Sequence, residues 1–342
     1  MRMAAAMRAQ ARACAGLGSP FMARLLTLLA DNWSSDSVLG RSCDDWVGDL
    51  GPSGASLPLR LAGALHALVL TGRAPALAAV YPPNETADDV LIRTVLAAID
   101  THQAFVLDWM KSPPQTNEVR RSSALIPAAH WIAARHSLPF MTSELGASAG
   151  LNLMWDSFAL DTPAGSLGPR DPALVLQPDW SGPFPADAGV RVNDRAGVDL
   201  KPLDMRDPEQ VLRLFAYLWP DQPHRAELTR AAIAVQTVRP EAGDAISWLE
   251  RRLATQPAGT LHLIYHTIAW QYFPAERQQV GTALIEEAGA RATTDRPLAW
   301  LGMEADGNGD GAALTLRLWP DNLTVTLARV DFHGRWVKWL VD

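Results

Sequence analysis

The sequence predicts an α/β protein in two parts. Residues 1–124 form a helical N-terminal region, and residues 125–342 form a mostly parallel sheet with flanking helices and an antiparallel hairpin at the end. Three observations carry this expectation. Before residue 138 apolar residues recur at helical spacing, and no alternating strand pattern interrupts them. After it, short apolar runs alternate with amphipathic stretches, as they do where strands are joined through helices. The 342 residues also exceed what one compact core usually holds.

The elements follow in order. Ser19-Pro20 offers an N-cap and a first-turn proline, after which Phe21, Leu25, Leu28 and Leu29 share one helical face. Leu59 to Leu70 reads as an apolar helix stopped by Gly72. Thr86 and Asp89 mark the start of a long helix running to about Lys111, ahead of Pro113-Pro114. Another helix is expected over Glu118 to His136. Pro139 to Glu144 reads as a short strand, followed by a glycine-rich turn and a helix through Asn152 and Trp155. Glycines and prolines crowd residues 160–190, which predicts an inserted hairpin at about 158–190 containing Ala173 to Gln177. Val190 to Leu200 is the second core strand, with helices expected over Asp207–Trp219 and Arg225–Val238. Leu261 to Tyr265 is the most strand-like buried segment, and Ala275 to Ala288 the helix after it. Leu298–Glu304, Ala313–Trp319, Leu323–Val330 and Trp336–Leu340 close the chain and give the sheet an antiparallel edge.

Composition narrows the partners. The formal net charge is −7, and the densest basic spots are the isolated pairs Arg120-Arg121 and Arg251-Arg252. A phosphate backbone is usually gripped by a basic surplus, so nucleic acid is not the expected partner. Two cysteines, Cys14 and Cys43, offer neither a disulfide framework nor a zinc pattern and suit a reducing, cytoplasmic setting. Arg2, Arg8 and Arg12 interrupt the apolar N-terminal stretch, which favours a short helix over a targeting peptide. No run approaches the roughly 18 apolar residues that span a bilayer, so no membrane is expected.

Most of the chemistry lies in Glu144-Leu-Gly146-Ala147-Ser148-Ala-Gly150-Leu-Asn152, between a strand and a helix. Glycines there allow a sharp turn and a close ligand approach, and an acid at the strand end can accept hydrogen bonds from a ribose or an ammonium group. Asp199 ends the second strand, Gly243-Asp244-Ala245 precedes a helix, and His266 ends the Leu261 strand. Each has a structural reading beside the functional one: a strand end, a helix cap and a core histidine. In open α/β sheets ligands bind outside the carboxyl ends of the strands, where all four stretches would fall.

The Glu144–Asn152 stretch resembles the first motif of class I S-adenosylmethionine-dependent methyltransferases, acid-x-Gly-x-Gly-x-Gly, with Ser148 in place of the middle glycine. It departs from the G-x-G-x-x-G of a nicotinamide dinucleotide site. Over nearly its whole length the chain also resembles the bacterial DUF2332 family. The resembling stretches are Gln10–Cys14, Gly18–Pro20, Leu65–Leu68 with Tyr81-Pro82, Gln115–Arg120, Glu144–Asn152, Leu218–Asp221, Gly243–Ala245 and His266–Tyr272. These resemblances imply a Rossmann-like, methyltransferase-type fold and S-adenosylmethionine as cofactor. They imply its methionine part at Gly146 to Gly150 with Glu144, its ribose at Asp199 and its adenine at Asp244 and Ala245. His266 is then the expected general base for an unidentified small-molecule acceptor, with His66, Asn117, Glu118 and Arg121 facing it from a helical lid and Trp270 beside the pocket as a further substrate contact.

Two other functions compete. A methyltransferase-like scaffold can bind a ligand or partner without turnover, which Ser148 and the long insertion between Asn152 and Asp199 leave open. Gly146-x-Ser148-x-Gly150 also spells the nucleophile elbow of α/β-hydrolases, with Asp244 or Asp306 and then His333 as later partners. The helical upstream region and the lack of an earlier glycine cluster count against it. Asp306 to Gly311 copies half of an EF-hand loop, but Arg317 stands where calcium needs a carboxylate, so a glycine-rich turn is expected. No metal is expected.

Overall fold

The computed structural model describes residues 2–51 and 54–342. Two compact units divide the chain: Met1–Thr116 with Met205–Glu227, and Asn117–Asp204 with Leu228–Asp342. The segment Met205–Glu227, which follows the second core strand in sequence, belongs to the first unit.

The first unit is helical. In it α1 (Arg2–Gly16) packs on α2 (Pro20–Asp31). Ser19 caps α2 through the Met22 amide, and Asp221 takes the Ser19 hydroxyl at 2.6 Å and the Phe21 amide at 2.9 Å. A carboxylate there satisfies orphan amides and opposes the helix dipole. After α3 (Val38–Asp44), the apolar α4 (Leu57–Leu70) is buried along most of its length. Each fully buried leucine in it, such as Leu61, Leu65 or Leu68, contributes roughly 1.5–3 kcal/mol of transfer free energy. A short α5 (Pro75–Ala78) follows.

The single long helix expected to end near Lys111 is two helices, α6 (Asp88–Thr101) and α7 (Gln103–Met110), bent by 85° at His102. Val106, Trp109 and Met110 lie about three helical turns beyond Val95, Ala98 and Ile99, so a straight helix would show the same stripe. Packing makes the break: α6 lies against α2 and α5, whereas α7 lies mainly against α4.

In the second unit a 3₁₀ turn (Val119–Arg121) leads into α8 (Ser122–Ala133), which is buried throughout. Then come β1 (Phe140–Leu145), a 3₁₀ segment (Leu151–Ser157) and the strands β2 (Phe158–Thr162), β3 (Gly165–Leu167), β4 (Leu174–Leu176), β5 (Asp179–Ser181) and β6 (Val192–Asp199). α9 (Pro208–Ala216), which belongs to the first unit, and α10 (Pro223–Ala234) precede β7 (Glu241–Ala242), α11 (Ala245–Leu253) and β8 (Leu261–Thr267). A 3₁₀ turn (Trp270–Tyr272), α12 (Ala275–Ala290), β9 (Leu298–Glu304), β10 (Ala312–Trp319), β11 (Leu323–Val330) and β12 (Trp336–Trp339) complete the chain.

The main sheet has nine strands in the order β5-β12-β11-β10-β9-β8-β1-β6-β7. Strands β7, β6, β1, β8 and β9 are parallel, and the order reverses direction at β1. The fold is therefore α/β with a large, mostly parallel mixed sheet. Its antiparallel part is a run of four strands, β9 to β12, wider than the expected hairpin, with β5 parallel to β12 at the edge. The expected inserted hairpin is instead a three-stranded sheet, β3-β2-β4, in which β4 pairs parallel to β2 and β5 leaves for the main sheet. Helices α11 and α12 cover the sheet face that carries Leu145, Ile264 and Leu298.

Candidate functional site

The switch in strand direction at β1 places its carboxyl end beside those of β6 and β8. Glu144 pairs in register with Gly197 on one side and Tyr265 on the other. The chain then turns through Gly146 at φ +75°, Ser148 at φ +52° and Gly150 at φ +75°. A Cβ on Gly146 would lie 2.6 Å from the Ala269 methyl, and one on Gly150 2.6 Å from the Pro240 ring. Left-handed backbone and close neighbours together demand glycine at both positions.

The turn is stitched to its surroundings. The Gly146 and Ala147 amides both donate to Val198 O, at 2.9 and 3.0 Å. The Ser148 amide donates to Asp199 Oδ2 at 2.8 Å, and the Lys201 amide to Asp199 Oδ1 at 2.9 Å. Gly150 donates to Ala147 O, and Leu151 to Asn117 Oδ1 at 2.9 Å. This corrects the expected helix N-terminus offering amides to a ligand. The following segment is 3₁₀ rather than α-helix, and the amides of Gly146, Ala147, Ser148, Gly150 and Leu151 are bonded within the protein itself. Such a site is poorly made for a phosphate, which is usually cradled by free amides. Its acids suit hydroxyl and cationic groups instead.

Glu144 is 2% exposed. Among the described residues only the Tyr265 hydroxyl hydrogen-bonds its carboxyl, at 3.4 Å, and that hydroxyl lies nearer to Asn152 O, at 3.1 Å. Burial pushes the Glu144 carboxyl up to about 8, the Tyr265 bond and Arg121 opposing the rise and Asp199 adding to it. Perturbed acids of this kind cluster at functional sites. Tyr265 was not among the residues expected in the site. Strand alternation alone puts it on the opposite face from His262, Ile264 and His266, but only the register of β8 against β1 brings it to Glu144.

His266 therefore projects from the other face of the sheet than Glu144 does. Its Nδ1 lies 2.7 Å from Glu304 Oε1, and the Trp300 indole N–H donates to its Nε2 at 3.0 Å. This arrangement assigns the proton to Nδ1 and leaves neither ring nitrogen open. Glu304, at the end of β9, also accepts the Ala269 and Trp270 amides at 3.0 Å. Burial works to raise its carboxyl, but His266 and these amides hold it below the usual value. Trp270 stacks on His266 with ring centroids 5.1 Å apart and meets Trp300 edge-on at 5.5 Å.

The remaining expected residues fall in different places. Asp244 caps α11 through the Ser247 amide at 2.9 Å and pairs with Arg277, while Ala245 opens that helix. Both still stand just past the end of β7. Asn152 donates to Glu118 O at 3.2 Å and accepts from Ser122 at 2.8 Å. Glu118 holds the Arg120 guanidinium at 3.1 Å. Arg121 donates to Thr267 O and Phe332 O, tying the end of β8 to the loop after β11. Asn117 to Ser122 thus fasten the glycine turn from outside. His66 lies in the first unit, bonded to Ala216 O at 3.2 Å, and its burial drives it down to about 4.

The Ser148 hydroxyl is buried and has no hydrogen-bond partner, histidine included, among the described residues. Asp306 pairs with Arg329 at 2.7 Å in the loop between β9 and β10. Among the described residues no group of three or more His, Cys, Asp or Glu is placed to hold a metal ion. No single helix among them is long and apolar enough to cross a membrane.

The DUF2332 family model, described as an uncharacterized protein conserved in bacteria, matches residues 4–339. No curated protein matches the chain, and no solved structure does.

Proposed function

The chain belongs to the DUF2332 family of bacterial proteins, and from that premise we propose that its sheet-bearing unit is Rossmann-like and binds S-adenosylmethionine as a methyltransferase acting on a small molecule. One observation carries the reading. Three acids, Glu144, Asp199 and Asp244, stand at or just past the carboxyl ends of three adjacent parallel strands, β1, β6 and β7, around the point where strand order reverses. Ligands of open α/β sheets bind at such a point.

The donor set fits this cofactor better than a dinucleotide. Carboxylates can hold ribose hydroxyls, an amino group and a sulfonium, whereas most of the turn's amides, those of Gly146, Ala147, Ser148, Gly150 and Leu151, already bond within the protein rather than toward a pyrophosphate. Glu144 would take the amino-acid end, Asp199 the ribose, and Asp244 with Ala245 the adenine. When bound, S-adenosylmethionine supplies an electrophilic methyl group. The chain's own part is alignment, which is most of what such a transfer requires. Asp199, Asn117 and Asn152 fix the turn, and Glu304 and Trp300 fix His266 under Trp270.

A non-catalytic, ligand-binding role is favoured by one observation, the engagement of both ring nitrogens of His266. A histidine bonded in this way acts as a base only after the Trp300 bond opens.

Thermal unfolding with S-adenosylmethionine or S-adenosylhomocysteine tests the cofactor. Ligand at 100 times its dissociation constant stabilises by about 2.7 kcal/mol, a rise of roughly 2–4 °C per kcal/mol. The expected result is a shift of several degrees that Asp199→Ala abolishes. A folded protein that shifts with neither ligand overturns the proposal.

A further inference from the structure

The environment of Glu144 carries a consequence for what binds beside it. The carboxyl sits at the end of a central strand with almost no exposure, and its one hydrogen-bonding neighbour among the described residues is a phenol. That phenol has a nearer acceptor, Asn152 O at 3.1 Å, for its own proton. A proton on Glu144 completes a directed chain, from the Glu144 O–H to Tyr265 Oη and from the Tyr265 O–H to Asn152 O. Without that proton the carboxylate has only a long, shared hydrogen bond and little water.

The charged groups around it do not replace the missing neutralisation. Arg121, from the 3₁₀ turn before α8, is attractive but directs Nε and Nη1 to main-chain carbonyls. Asp199, from the end of β6, is repulsive. Near Tyr265, Asp156 and Arg195 form a two-pronged pair at 2.7 and 2.9 Å and cancel each other. An unpaired buried charge is costly, and the usual escape is to bind a proton or a counter-ion.

We propose that Glu144 is a proton-for-cation exchange site: the free protein holds it as a neutral acid, and a ligand ammonium or sulfonium entering beside it displaces that proton to solvent. The charge balances, since one proton leaves the carboxyl for each cationic group that arrives. The identity of the natural cation rests on the cofactor reading above. The exchange itself is a property of Glu144 and its neighbours.

The carboxyl can be followed by infrared difference spectra of the whole protein, wild type minus Glu144→Gln. In free protein at pH 7 the carbonyl band of a protonated acid is expected, disappearing with a midpoint near 8. Adding S-adenosylmethionine at pH 7 should remove the band. Calorimetry in buffers of different ionisation enthalpy should then show about 0.9 proton released per ligand at pH 7, with affinity tightening about ninefold between pH 6 and 7, below the range in which the ligand's own amino group titrates. In Glu144→Gln both the release and the pH dependence should vanish. A carboxylate already ionised at pH 7 in the free protein overturns the proposal, and so does binding without proton release. If S-adenosylmethionine does not bind at all, the cofactor reading falls while the exchange is still decided. Methylammonium or trimethylsulfonium at high concentration then removes the band if exchange is right and leaves it in place if it is wrong.

Discussion

Replacing Glu144 by glutamine should make the protein more stable at neutral pH, and by an amount that grows with pH. In the unfolded chain this carboxyl ionises near its ordinary 4.5, whereas burial in the fold moves it up to about 8. Between those values the folded state holds one proton more than the unfolded state, so stability falls as pH rises. The slope is about 1.36 kcal/mol per pH unit. From 4.5 to pH 7 the accumulated cost is about 3 kcal/mol, levelling off above pH 8. Glutamine mimics the neutral acid in shape and cannot ionise, so it escapes that cost. Urea unfolding of both proteins at half-unit steps from pH 5 to 9 measures the difference directly. Taking the difference removes the other titrating groups, including His262, which burial keeps neutral down to about 3. The expected curve is near its acid baseline at pH 5, favours the variant by about 3 kcal/mol at pH 7, and is flat beyond pH 8. A difference that does not change with pH would refute the reasoning, because it would mean that Glu144 ionises alike in both states.

Other substitutions probe the frame around it. Gly150→Ala should cost about 2 kcal/mol or more in urea unfolding, from left-handed strain plus contact with Pro240, and an alanine variant of parental stability would count against the turn as described. Asn117→Ala leaves the buried Leu151 amide without an acceptor and should cost about 1–3 kcal/mol, whereas Asn117→Asp, which keeps the acceptor, should cost less. Glu304, whose folded value is depressed, stabilises above 4.5 and loses that contribution as the pH falls through its folded value. Glu304→Gln should therefore flatten the acid side of the stability curve below 4.5. A curve as steep as the parent's would remove the His266–Glu304 pairing as its cause.

Local chemistry was legible in the sequence. Ser19-Pro20 opens α2, Gly146 and Gly150 take left-handed turns, and apolar runs after residue 138 become strands, because caps, glycines and short periodicities act over a few neighbouring residues. The acids at the strand ends could be found for the same reason. Contacts between distant segments were decided only in three dimensions. Asp221 completes the α2 cap from two hundred residues away, and Asn117 takes the amide that an exposed helix start would have offered a ligand. The bend at His102 left no periodic trace, since both helices continue one stripe while packing on different neighbours. The pairing of β8 with β1 set Tyr265 against Glu144 and turned His266 to the opposite face. A strand's alternation says which residues share a face, but register and burial say what they meet there. Burial in that tertiary surrounding is what pushes the Glu144 carboxyl up from its ordinary value.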